Sequence, residues 1–331
     1  EFIPLGETVA WNWQQGAMLQ WLNDAPGKII YNDRQGDDFV ARIMDVNTGE
    51  KQTICRPIYC LSPDGNYALS VNFALLDKER PGYGYRDVKN PWEGIDHTDE
   101  DGIWLVDLKK NSARLLISYD QVIKQFYLPT MDNVSNWFNH LLFSPDSERF
   151  AFFHRWRTEK SAIEGAVYAP HLTRMYTAGI HDSSLYPLNL DDMSSHYTWV
   201  NDKRIINYSR QFGQGDHYYL YTDQTDQVEV IGEELFDVDG HCSFSLDQKW
   251  MLTDNYPTQD NKGICGLYLM DIVKNTRYEI GSFQADPSLP TPTRCDLHPN
   301  WSRDCRRVCI DSMHEGFRGI YVIDVSELID S

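Results

Sequence analysis

Four of the ten histidines occupy one position of a recurring seven-residue frame. The copies read His140-Leu-Leu-Phe-Ser-Pro-Asp146, His196-Tyr-Thr-Trp-Val-Asn-Asp202, His241-Cys-Ser-Phe-Ser-Leu-Asp247 and His298-Pro-Asn-Trp-Ser-Arg-Asp304. A set of imidazoles can do three kinds of chemistry. Neutral rings ligate Mn, Zn or similar ions. A single ring can serve as general base near neutral pH. Imidazoles grouped with arginines can hold an anion. Arg155 adjoins His154, Arg294 and Asp296 lead into His298, and Arg174 and Arg210 lie between the first and third copies. The company each histidine keeps divides the candidates. His140, His154, Arg174 and Arg210 are the candidate catalytic residues, and His241 and His298, among Cys242, Asp296 and Asn300, are candidate metal ligands.

The elements that must position these side chains are strands. Two more copies keep the frame without the histidine, Met18-Leu-Gln-Trp-Leu-Asn-Asp24 and Ile58-Tyr-Cys-Leu-Ser-Pro-Asp64. Each copy is a short strand closed by an Asp-centred turn, as in Ser62-Pro63-Asp64-Gly65. A second strand follows (Phe150–His154, Trp250–Thr253), then a third that ends in Asp (Gly102–Asp107, Gly266–Asp271, Gly319–Asp324). A fourth comes after a turn, such as Lys51–Ile54. Four antiparallel strands recurring at this period make an all-β fold, a β-propeller. Sustained helical periodicity between the strands is missing, which argues against a βαβ architecture.

Six blades can be counted. Phe2-Ile-Pro-Leu reads as a fourth strand with nothing before it, so it either completes the last blade or marks a missing N-terminal blade, and the total is six or seven. One propeller domain is expected over residues 1–331, with insertions at about 72–101 and 118–137, the second carrying a weakly amphipathic, helix-like segment. Long insertions in compact folds are commonly binding loops. Arg80, Tyr83 and Tyr85 of the first insertion, together with Arg155 and Tyr197, are therefore the candidate substrate-binding residues. Because the first strand of a blade lies beside the channel, the frame predicts that His140, His196, His241 and His298 gather at one mouth of it.

Composition bounds the partners. The 331 residues carry a formal charge of −19, which disfavours nucleic acid and anionic membrane surfaces as partners. No apolar run approaches the roughly 20 residues of a membrane span. No signal peptide is visible, and the compartment stays open between cytoplasm and periplasm. The seven cysteines lack CxxC spacing and read as small buried hydrophobes rather than a disulfide framework.

The strand-entering histidines and their turns, in Gly240-His-Cys-Ser-Phe-Ser245 and His298-Pro-Asn-Trp-Ser302, resemble the oligogalacturonate lyases among the TolB-like propellers, and the likeness runs from about Trp11 to Asp324. That resemblance implies β-elimination on uronate-containing saccharides and a divalent metal, typically manganese. It makes His241 and His298 metal-ligand positions and His196 a metal or substrate position. The sequence departs from the family where a second histidine is replaced by Asn300 and where a glutamine has no match among Arg294, Cys295 and Asp296. His140, His154 and a nearby tyrosine resemble instead the His/Tyr arrangement of propeller ulvan lyases. The reading is a lyase acting on an anionic oligosaccharide. A non-enzymatic glycan- or protein-binding propeller and a metal-dependent hydrolase are the alternatives.

Overall fold

The computed structural model describes residues 3–157, 171–290 and 293–330. The chain is a six-bladed β-propeller of antiparallel sheets. It divides into two compact units, Glu1–Pro187 and Leu188–Ser331. In the first unit, blade 1 is β1 (Gln20–Trp21), β2 (Lys28–Gln35), β3 (Asp38–Asp45) and β4 (Lys51–Ile54). Blade 2 is β5 (Cys60–Leu61), β6 (Tyr67–Ser70), β7 (Gly102–Asp107) and β8 (Ser112–Ser118). Blade 3 is β9 (Asn136–Phe143), β10 (Arg149–Arg157), β11 (His171–Gly179) and β12 (Leu185–Asn189), the last strand running past Pro187 into the second unit.

In the second unit, blade 4 is β13 (Ser194–Trp199), β14 (Arg204–Gln211), β15 (Gly215–Thr222) and β16 (Val228–Ile231). Blade 5 is β17 (Ser243–Phe244), β18 (Trp250–Asp254), β19 (Ile264–Asp271) and β20 (Thr276–Gln284). Blade 6 has three strands among the described residues, β21 (Asn300–Trp301), β22 (Arg307–Ser312) and β23 (Gly319–Asp324). Each sheet is a meander in chain order.

Burial follows strand position. The second strands β10 and β18 are buried along nearly their whole length, whereas β20 and β23 alternate. Strands covered on both faces must be continuously apolar, and strands with one wet face need only every second residue. The first insertion carries α1 (Phe73–Glu79), capped by the Asn72 side chain on the Leu75 N–H, and the second carries α2 (Tyr119–Gln125), capped by Ser118 on Gln121. All seven cysteines are free thiols, and five are buried.

The turn of the frame is one structure repeated. Ser62, Ser144, Ser245 and Ser302 each place the hydroxyl 2.5–2.7 Å from the aspartate two residues on. That aspartate accepts the N–H of Asn66, Glu148, Lys249 or Arg306 in turn. The residue after the aspartate is left-handed in all four, as Gly65, Ser147, Gln248 and Cys305. Three of these are not glycine, and each uses its side chain on the preceding blade: Ser147 Oγ accepts Asp64 N–H at 3.1 Å, Gln248 Oε1 accepts Asn201 Nδ2 at 3.0 Å, and Cys305 Sγ accepts Leu246 N–H at 3.4 Å.

Candidate metal and proton-transfer site

The histidines of the frame are set by bulges and strand entries rather than by regular strand. In β9 the register against β10 slips by one residue between Asn139 and Leu142, and His140 lies there with φ 51°. In β13 the slip falls between Ser194 and Tyr197 and takes in His196. A bulge leaves a residue out of the ladder and re-aims its side chain. His241 and His298 each precede a first strand by two residues, and His298 is again left-handed at φ 43°.

The structure brings three of the four together within the second unit. The ring centroids of His196 and His241 are 4.2 Å apart, and those of His241 and His298 are 4.3 Å apart. Each ring has a carboxylate at Nδ1. Asp239 lies 3.0 Å from His196, both oxygens of Asp254 lie 3.0 Å from His241, and Asp311 lies 3.8 Å from His298. Burial pushes the Asp254 carboxyl up, but the His241 charge, its ring and main-chain hydrogen bonds and the more distant His298 outweigh it, so the net shift is downward. Asp254 therefore stays ionised behind its histidine. A carboxylate hydrogen-bonded to Nδ1, as at His196 and His241, fixes the tautomer and leaves the Nε2 lone pair unprotonated, the pattern of metal-bound histidines.

His241, His298 and the buried Asp296 each offer a ligand atom within 4.8 Å of the others. Two imidazole nitrogens and a carboxylate oxygen fit an open divalent site. Asp296 is shared with Arg294, which donates to both of its oxygens at 2.5 and 2.7 Å. His196 stays outside this donor set. The Tyr256 hydroxyl lies 2.9 Å from its Nε2. With Nδ1–H donating to Asp239, that nitrogen accepts from Tyr256, which makes a Tyr256–His196–Asp239 relay. The Arg294 guanidinium lies over the Tyr256 ring, 4.3 Å from its centroid, a cation–π contact. Tyr197, the neighbour of His196, is paired with Asn207 in the β13–β14 ladder.

Within the first unit, His140 belongs to a cationic group. His140 packs edge-on against Tyr83 and Phe153, with centroids 5.7 and 5.6 Å away. Arg80 lies over Tyr83 at 4.5 Å and reaches His171 Nε2 at 3.1 Å. Burial first, then Arg155, Arg80 and Arg157, hold the His171 ring far below the usual imidazole range, so it is a neutral acceptor for Arg80. Arg155 is almost fully buried and donates from Nε to Thr173.

Four other predicted site residues lie elsewhere. His154 is wholly buried, with Nε2 2.9 Å from Asn136 Oδ1 and Phe138 and Trp156 against its ring. Burial, reinforced by Arg174, pulls its pKa down to about 3, and an imidazole sealed in the core exchanges no proton with a substrate. Arg174 is also buried, donating to the Phe126 carbonyl and lying over Trp156. Arg210 forms a two-point ion pair with Asp216 at the exposed end of the β14–β15 hairpin. Tyr85 is buried, stacked on Phe73, and hydrogen-bonded to Asn32. These four support the framework. Asp239, Asp254, Asp311 and Tyr256 are the functional candidates that sequence reasoning missed.

No family model and no curated protein matches the chain. Solved structures do. An oligogalacturonate lyase in complex with manganese superposes with a TM-score of 0.55 at 9% identity, covering 99% of this chain and 93% of that one. The β-propeller domain of the Trilobed protease from Pyrococcus furiosus gives 0.53 at 15%, covering 96% and 83%. TolB from Acinetobacter baumannii gives 0.51 at 15%, covering 91% of this chain and 61% of that one. The likeness is one of fold. The chain spans about three-fifths of that TolB and 29% of the tricorn protease, another match. No helix among the described residues is long and apolar enough to cross a membrane.

Proposed function

We propose that this propeller is a lyase that cleaves a uronate-containing saccharide by β-elimination. The observation that carries the reading is the group of His241, His298 and Asp296, with Asp254 hydrogen-bonded to Nδ1 of His241. Elimination removes the weakly acidic proton α to a carboxylate, so the developing charge must be neutralised. A divalent cation, manganese by analogy with the solved lyase, held by these three side chains would supply that neutralisation.

The chain's own groups supply the rest. Asp254 and Asp311 orient the two ligand rings. Tyr256 passes its proton toward His196 Nε2 and, as the phenolate, takes the C5 proton; the C4–O bond breaks as the C4=C5 bond forms, and the His196 imidazolium, stabilised by Asp239, returns a proton to the departing oxygen. Arg294 holds Asp296 in place and faces the Tyr256 ring.

A second, metal-independent placement of the same reaction is favoured by the first-unit group. There Arg80 would neutralise the carboxylate, and Tyr83 and His140 would move the proton. One experiment separates the two. Uronate glycans are screened for the ultraviolet absorbance of the unsaturated product, with chelator and with manganese restored. The metal-centred reading expects activity to vanish on chelation, to return with manganese, and to be lost in His241→Ala/His298→Ala. Full activity in chelator that falls roughly 10²–10⁴-fold in His140→Ala, the usual cost of an acid–base group, moves the reaction to the first unit. Absence of unsaturated product with every uronate glycan rejects the lyase in favour of a binding propeller.

A further inference from the structure

A cavity of about 600 Å³ in the second unit shares Asp239, Asp254 and Tyr256 with the histidine site. Its volume falls within the roughly 300–1,000 Å³ of small-ligand pockets. Phe236, Val238 and Tyr268 form its apolar side, and its charge is strongly one-sided. Asp237, Asp239, Asp254 and Asp260 line it against a single cation, Arg277. Arg277 is already engaged, donating to the Leu235 carbonyl with its guanidinium over Tyr268 and Phe236. Asp239 and Asp254 are held by His196 and His241. Asp237 and Asp260 are exposed and make no hydrogen bond or ion pair among the described residues. The field reaches the wall: burial and Glu279 raise the Tyr268 hydroxyl, and Asp237 adds to the rise.

We infer that this cavity is the subsite for an uncharged sugar adjoining the uronate, and that Asp237 and Asp260 make the protein selective for mixed glycans over homopolyuronates. The inference rests on the lyase reading for the place of the uronate. Free carboxylates accept hydrogen bonds from sugar hydroxyls, and an apolar wall takes the ring's C–H face. A second uronate there would bring its carboxylate among four others with no cation free to receive it. Like charges set against each other in a partly desolvated pocket are a means of rejecting the wrong ligand.

The test compares tetragalacturonate with an alternating galacturonate–rhamnose tetrasaccharide, by turnover and by titration calorimetry on the manganese-loaded protein. The wild type is expected to favour the alternating glycan at least tenfold. Asp237→Asn/Asp260→Asn should cut that preference roughly tenfold, the scale of two nearby charges in a partly aqueous site. Asp202→Asn/Asp226→Asn, which removes the same charge outside the cavity lining, should leave the preference intact. Equal use of both glycans by the wild type, or a preference that the cavity variant leaves unchanged, overturns the subsite while elimination stands. If neither glycan is cleaved, turnover gives no comparison, and the elimination reading fails only when no uronate glycan yields unsaturated product. The calorimetric preference then decides the subsite alone: its loss in the cavity variant upholds it, and equal binding by wild type and variant overturns it.

Discussion

At the scale of single residues, similar types of side chain take opposite roles because of what surrounds them. His241 meets an ionised carboxylate and keeps a nitrogen free, whereas His154 meets aromatic rings and an amide. The difference shows in pH dependence. The folded protein holds His154 neutral down to about pH 3, while the unfolded chain takes up a proton below about pH 6.5. Between those values the unfolded state binds more protons, so stability rises with pH across the window and is lost as pH falls through it. His154→Phe, whose ring suits the aromatic surroundings, should flatten the pH dependence of the denaturation midpoint between about pH 6.5 and 4 and leave turnover unchanged. A variant with the wild-type slope would remove His154 as the source.

How much of the site could be read in the sequence also turns on particular residues. His196, His241 and His298, which meet in the second unit, could be picked out because they share a frame. Asp254 and Asp311 carried a signal that went unread, since each stands 13 residues after its histidine, the separation of a first strand's entry from the end of the second. Asp239 had no such signal, because it reaches back from the entry of blade 5 to a histidine of blade 4. Tyr256 lies in a loop whose path only the folded chain defines. His154 was misleading for a related reason. The bulge at His140 shifts the register of β9 against β10 by one residue, and a bulge leaves no mark in composition.

At the scale of elements, the Ser-x-Asp turns are what the sequence displayed most clearly, and they also join neighbouring blades. Ser147 sits at a left-handed φ of 67° and accepts the Asp64 N–H from the preceding blade's turn. Glycine at 147 would relieve the backbone but drop that bond; alanine would drop the bond and keep the strain. Ser147→Ala should destabilise by about 1–2 kcal/mol, the usual cost of losing a partly buried hydrogen bond, and Ser147→Gly by less, because glycine adopts this φ freely. Chemical denaturation of the three proteins checks the order. A glycine variant less stable than the alanine one would show that the φ at this position carries no strain.

At the scale of the molecule, the metal reading predicts a change in stability that needs no substrate. An ion bound only by the folded protein stabilises it by mass action, about 2.7 kcal/mol at a hundredfold excess over the dissociation constant. All three ligands lie in the unit Leu188–Ser331. Manganese should therefore raise the melting temperature of the wild type and not that of His241→Ala/His298→Ala, with the transition of the second unit moving first if the two units melt apart. An equal rise in both proteins would mark binding to the acidic surface, which a chain of net charge −19 invites.

The turn contacts have one more consequence, for assembly. A protein made of near-copies can dock a blade on the wrong neighbour, a known hazard of repeated folds. Here the closing residue differs among three of the junctions. A hydroxyl accepts a main-chain amide between blades 2 and 3, a carboxamide meets a carboxamide between blades 4 and 5, and a thiol accepts a main-chain amide between blades 5 and 6. Blades alike in their strands are thereby keyed in their turns. An out-of-order pairing would keep most of the apolar burial but lose the hydrogen bond that fits only the right neighbour, a small penalty charged to each wrong arrangement.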